Sequence, residues 1–277
     1  MGTWINGRPA QEYLRDQASN TAARETSEFS GSFGERARIS LDLPTGRITI
    51  KSHSGDRDWR LSARHAPDGP PTVVSDLAHL SIAGSATDSG KIEVHSSDGG
   101  FASVSSFAGG SMVIGGLVIN TGATGLEMDL DLPMGVPLDF DLRLRSGSGS
   151  LNGAGLIIGA LRAKLASGDL DLDLSAASIS ELDLRVASGD LDLALPARDG
   201  LRVAADIASG DLTIGLPEGL GLRLNLKLAF GDKHGFGKLG LIETRRGHWE
   251  TPADPDIDAW CEISVQVASG DFRLKRA

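Results

Sequence analysis

The sequence predicts an all-β chain wound as a parallel β-solenoid of 21-residue coils. Three observations lead there. The triplet Ser-Gly-Asp stands at 167–169, 188–190 and 209–211, a constant step of 21. Behind it, leucine alternates with a polar residue, as in Leu170-Asp171-Leu172-Asp173-Leu174, the period of a strand with one face buried. Glycine is abundant, at 36 of 277 residues, and aromatics make up only 5%, which suits short strands joined by tight turns. An antiparallel β-meander with Ser-Gly hairpins satisfies the same alternation. The constant step favours the solenoid, because stacking like columns buries leucine on leucine in every layer.

Taken in order, residues 1–32 stand outside the repeat. Trp4 and Ile5 lead into Pro9–Ala18, which reads as a short helix with Tyr13 and Leu14 on one side. It is expected to cap the first coil or to serve as a docking arm. The solenoid is expected over 33–277. Phe33-Gly34-Glu35, Ser54-Gly55-Asp56, Ser75-Asp76 and Ser96-Ser97-Asp98 keep the 21-residue phase weakly. A Gly/Ser-rich insertion of eight residues then precedes Gly125. The most regular stretch, 125–232, runs through Gly125-Leu126-Glu127, Ser146-Gly147-Ser148, the three Ser-Gly-Asp triplets and Phe230-Gly231-Asp232. Residues 233–277 are degenerate. Phe236, Trp249, Trp260, Arg245 and Arg246 form either a cap over the last coil or a patch for a partner. Ser269-Gly270-Asp271 lies 39 residues after Phe230, which counts as one unit of 21 and one of 18. Eleven coils result, a rod about 50 Å long at ~4.8 Å per coil.

The letters have physical reasons. The turn glycine allows φ > 0 without a Cβ clash. Ser and Asp offer short oxygens to local backbone donors. Pro133, Pro196 and Pro217 end strands, since proline cannot donate to a ladder. Stacking also creates a difficulty. Residues 126–216 hold 15 acidic against 7 basic residues, and in-register aspartates repel. Hydrogen bonding at the turns is the expected answer, and bridging cations such as calcium are the alternative.

The SGDLxL units, the turns Leu132-Pro133-Met134-Gly135 and Leu216-Pro217-Glu218-Gly219, and the ending Val265-Gln266-Val267-Ala268-Ser269-Gly270-Asp271-Phe272-Arg273-Leu274 together resemble the bacterial "putative adhesin" family of SGD-repeat domains of unknown function. The likeness covers about 33–276. It implies a right-handed β-helix-like fold and a non-enzymatic role at or near the bacterial envelope. Cytosolic members tied to envelope-stress signalling or scaffolding match best.

Chemistry-bearing patterns are sparse. None of the six histidines sits at metal-ligand spacing, and His53 and His95 fall at turn positions. Cys261 is the sole cysteine. Gly-rich stretches such as Ser146–Ser150 lack the lysine and helix of a phosphate loop, and no GxSxG elbow occurs. No catalytic, cofactor-binding or metal-binding residue is expected. A net charge of −10 without a basic run speaks against nucleic acid, and no apolar run is long enough for a transmembrane segment. The expectation is a cytoplasmic, non-catalytic scaffold that binds a protein partner or itself, head-to-tail assembly included. The alternatives are a surface carbohydrate-binding adhesin, and a β-helix carbohydrate-active enzyme with carboxylates converging near 100–120 or 233–260.

Overall fold

The computed structural model describes residues 4–5, 8–9, 25–65, 71–75, 78–83, 91–95, 101–105, 110–114, 117–121, 126–255 and 257–276. Positions 10–18 of the expected helix, Asp76 and the triplet at 96–98 lie outside them. Every regular element among the described residues is a strand.

Each repeat unit folds as strand, turn, strand, turn, with one strand in each of two sheets. The first sheet has ten strands, in the order Lys233–His234, Phe272–Arg276, Leu212–Leu216, Leu191–Ala194, Gly168–Asp173, Gly147–Asn152, Gly46–His53, Leu126–Pro133, Asp58–His65 and Glu25–Ser32. The second has eleven, in the order Ile242–Arg245, His248–Glu250, Leu220–Phe230, Ala259–Ser269, Leu201–Ile207, Ser178–Val186, Ile157–Leu165, Pro137–Leu144, Ala37–Leu43, His79–Ala83 and Thr72–Ser75.

Pairing from coil to coil is parallel and in register. Leu170 meets Leu191, which meets Leu212, in the first sheet. Leu161 meets Leu182, which meets Val203, in the second. The antiparallel meander is thereby excluded. The inward columns form one continuous core of leucine, isoleucine and valine between the sheets, nearly all buried. Burial of each such side chain contributes roughly 1.5–3 kcal/mol before chain entropy, so the core grows by the same increment with every coil.

The triplet shows why its letters recur. Gly168, Gly189 and Gly210 hold φ of 115°, 125° and 124°. A Cβ on any of them would overlap the carbonyl oxygen of the glycine in the adjoining coil. Each of these glycines donates its N–H to a serine carbonyl one coil on, as from Gly168 to Ser188 at 3.1 Å and from Gly189 to Ser209 at 3.0 Å. The aspartates are tied in the same way. Asp169 Oδ1 accepts the N–H of Asp190 at 3.2 Å, and Asp190 Oδ1 that of Asp211 at 2.9 Å. The ladder continues from Asp211 to Asp271 at 2.8 Å and from Asp271 to Asp232 at 2.9 Å. Bonding at the turns is thus how the column is held.

Two features depart from the sequence count. In the first 65 residues the working turn glycine is Gly46, with φ 128°, not Gly34 or Gly55. Ala37–Leu43 and Gly46–His53 make one coil, whose Gly46 pairs with Gly147. The next strand, Asp58–His65, runs antiparallel to its neighbours, as does the preceding strand Glu25–Ser32. The second departure is that coils do not stack in chain order. Gly46–His53 lies between Leu126–Pro133 and Gly147–Asn152, so these two strands are separated in the first sheet, while Pro137–Leu144 pairs directly with Ile157–Leu165 in the second. At the other end, Ala259–Ser269 and Phe272–Arg276 insert between the coil of 201–216 and the coil of 220–234. The 39-residue step is therefore an outer coil, an excursion and a return.

Among the described residues seven coils carry both strands, against the eleven counted from the sequence, and they span roughly 30 Å at ~4.8 Å each. The insertion has a physical reason. A terminal strand flanked on both sides has its whole ladder paired. The open edges pass to short or antiparallel strands, which are poor templates for further pairing.

Candidate functional site

Because inward columns are uniform, variation is confined to the outward ones. In the second sheet one outward column reads, coil by coil, Asp42, Arg143, Lys164, Arg185, Asp206, Gln266, Lys227. Beside it, where these strands end, an exposed column of alanines (Ala166, Ala187, Ala208, Ala268, Ala229) floors a groove of about 1390 Å³ that crosses the coils. The main-chain N–H groups of Ala166, Ala187 and Ala208 each donate to the neighbouring coil at 2.8 Å, so these donors are not free for a ligand. Seven cationic and four anionic side chains line the groove, a local surplus of three positive charges in a chain of net −10.

The far wall of the groove is the segment 233–250. Phe236 is buried against Phe272, with ring centroids 5.9 Å apart, and meets Trp249 edge-on at 4.8 Å. Lys233 places its ammonium 4.2 Å from the Trp249 ring centre. The hairpin Ile242–Arg245 and His248–Glu250 adds two antiparallel strands to Leu220–Phe230. Phe236 and Trp249 thus form the cap over the last coil. Arg246 turns toward the groove, Arg245 lies over the outer face of the second sheet, and Trp260 sits under the Arg223 guanidinium at 5.2 Å. The carboxylates of this hairpin are engaged: Glu250 pairs with Arg223 at 2.9 Å, and Glu243 accepts the N–H of Gly247 at 2.9 Å.

The outward face of the first sheet is acidic. Asp169, Asp171, Asp190 and Asp192 surround a shallow depression over Ser148 and Ser150, bounded on one side by Arg47. Asp171 and Asp192 are direct partners in register, and neither forms an ion pair among the described residues.

Other titratable groups have local explanations. Asp232, His234 and Asp271 bring one imidazole and two carboxylates within 4.8 Å of one another at the last rung, a donor set able to hold a divalent cation. The Asp271 carboxyl lies below its ordinary range because it accepts the Asp232 N–H and, secondly, bonds His234 at 3.3 Å. Sequence spacing did not disclose this trio, since Asp271 reaches His234 only through the inserted last coil. Burial pushes the Cys261 thiol up to about 12, which makes it a packing residue and not a nucleophile. His53, expected at a turn, ends its strand and bonds the Asp58 carbonyl at 2.8 Å. The side chain of His95 and the region 100–120 lie beyond what is described of side chains.

One solved structure shares this fold, and a second aligns more loosely. A "putative cell adhesion protein" from Clostridium sporogenes aligns at 15% identity over 91% of this chain and 100% of its own, with a TM-score of 0.51. A "putative adhesin" from Bacteroides fragilis aligns at 11% identity over 90% and 97%, with a TM-score of 0.35. At such identities the likeness concerns architecture. No curated protein matches the chain. The stacked coils, the Ser-Gly-Asp turns and the two mostly parallel sheets coincide with a family match over residues 17–275, and the chain belongs to the Toastrack DUF4097 family.

Proposed function

We propose that the protein is a non-catalytic scaffold, a stiff β-solenoid that presents ordered columns of charge to a protein partner in the cytoplasm, beside the cell envelope. One observation carries this reading. The turn carboxylates Asp169, Asp190, Asp211 and Asp271 are laid out one per coil and each accepts the next coil's N–H, so they form a column along the solenoid and not a cluster around one reacting atom. Catalysis needs convergent groups within hydrogen-bond reach of one reacting centre. Three tryptophans are also engaged internally: Trp59 is buried, Trp249 packs in the cap, and Trp260 lies under the Arg223 guanidinium. That supports the scaffold over a carbohydrate-binding adhesin, which needs exposed aromatic platforms.

A photo-reactive amino acid at position 187, in the alanine floor, tests the reading in the native host. The expected result is one discrete crosslinked protein, recovered with the cytoplasmic fraction and lost when the same group is placed at position 218. Release of sugar fragments from a polysaccharide panel, abolished by Asp171→Asn, would overturn it in favour of an enzyme.

A further inference from the structure

We infer that the acidic face of the first sheet and the cationic column of the second are complementary docking surfaces for each other, so that two copies of this chain associate side by side. This rests on the scaffold reading and names one occupant of the groove.

The first argument is pitch. Arg143, Lys164 and Arg185 follow one another in adjacent coils, one residue per coil. Asp169, Asp190 and Asp211 do the same on the other sheet, with Asp171 and Asp192 beside them. Both columns therefore rise by the same strand spacing of ~4.8 Å. Aligned coil for coil, the three carboxylates Asp169, Asp190 and Asp211 stand opposite the three cations Arg143, Lys164 and Arg185. The second argument is unmet charge. Asp171 and Asp192 face each other without an ion pair, and Lys164 has none among the described residues. Arg143 and Arg185 bond only Asp141 and Asp183 of their own strands, at 3.1 and 3.4 Å, and more than half of each side chain stays exposed. Like charges in register repel, and an opposing column of the other sign relieves both faces together. The third argument is sign. The groove beside the cationic column is locally positive in a chain of net −10, so the surface it attracts best is one like the chain's own acidic face. The backbone donors of its alanine floor are already bonded between coils, which disfavours a peptide strand adding to the sheet there. The two faces belong to different sheets, so the contact is heterologous and does not close on itself. Rows of solenoids result, and not a dimer.

Sedimentation velocity of the full chain, from micromolar to near-millimolar concentration at physiological salt, tests the inference. Wild type is expected to grow in mass beyond a dimer as concentration rises. One variant, Lys164→Glu with Arg185→Glu, reverses two of the three successive cations of the second sheet's column. A second, Asp171→Lys with Asp192→Lys, reverses the two aspartates of the first sheet that form no ion pair among the described residues. Each alone is expected to lose association by at least about tenfold, a difference of ~1.4 kcal/mol. Mixed in equal amounts, they are expected to assemble again. All four positions point outward, and unchanged melting of each variant confirms the fold. A wild type that stays monomeric throughout, or variants that assemble as wild type does, would overturn the inference. A monomer together with the position-187 crosslink to a different protein leaves the scaffold reading standing. Polysaccharide turnover would remove that reading whatever the sedimentation shows.

Discussion

The two sheets solve one electrostatic problem in different ways. Both stack residue upon residue in register, so any charged column brings like charges together. In the first sheet the chain keeps aspartate at the turn of five stacked coils and ties each of the first four carboxylates to the next coil's N–H. In the second, two columns alternate sign: Glu181 meets Arg202, Arg202 meets Glu262 once the last coil is inserted, and Glu262 meets Arg223. A neighbouring column reads Asp141, Arg162, Asp183. The first solution belongs to turns, where a short side chain reaches a free backbone donor. The second belongs to mid-strand positions, where the ladder has already taken the backbone groups. A repeat can therefore copy its turn residues at little cost, whereas strand charges copied in register, as in Arg143, Lys164 and Arg185 or Asp171 and Asp192, keep their repulsion.

Four measurements probe this contrast. The greatest loss belongs to the turn itself. Gly189→Val forces a branched side chain into φ 125° and against the Gly168 carbonyl, and thermal melting is expected to show destabilisation of about 4 kcal/mol or more, or no folded protein. Asp190→Ala removes the acceptor for the Asp211 N–H and is expected to cost about 1 kcal/mol. Asp190→Asn keeps an acceptor and removes a charge, and should melt within a degree or two of wild type. If Asn is as harmful as Ala, it is charge and not the hydrogen bond that matters at the turn. In the second sheet, Glu181→Lys puts like charges opposite at Arg202, and denaturant titration is expected to show a loss of roughly 0.2–1 kcal/mol. The smallest effect concerns acid. The Asp271 carboxyl is depressed, so its contribution is complete above the ordinary value of 3.8 and is lost as pH falls below it. Amide exchange at Asp232, whose N–H that carboxylate holds, should quicken in that window.

The sequence reads clearly where each coil repeats its letters. From 147 to 216, the turns, the inward leucines and the parallel register all follow from the 21-residue step. Gly46 escaped because its turn is written Thr45-Gly46-Arg47, with neither Ser nor Asp, so the phase was hung on Gly34 and Gly55 instead. The stacking order escaped for a deeper reason. Leu224, Ile263 and Val203 are equivalent inward residues, and any of their coils fits on any other, so periodicity states that coils stack without stating which is next. The candidate surfaces were half legible. Each charged residue could be assigned to an outward column, but the groove wall formed by Lys233 and Trp249, and the trio at Asp271, exist only because of the inserted last coil.

That insertion also bears on how the molecule is made. The coil of 220–234 leaves the ribosome before the strands that belong beneath it. A solenoid could in principle zip up layer by layer behind the exit tunnel. Here the zipper halts at Leu216, because the next layer, Ala259–Ser269 with Phe272–Arg276, is translated only after the coil of 220–234. The outermost coil must wait apart with its leucines uncovered until those strands slot in beneath it.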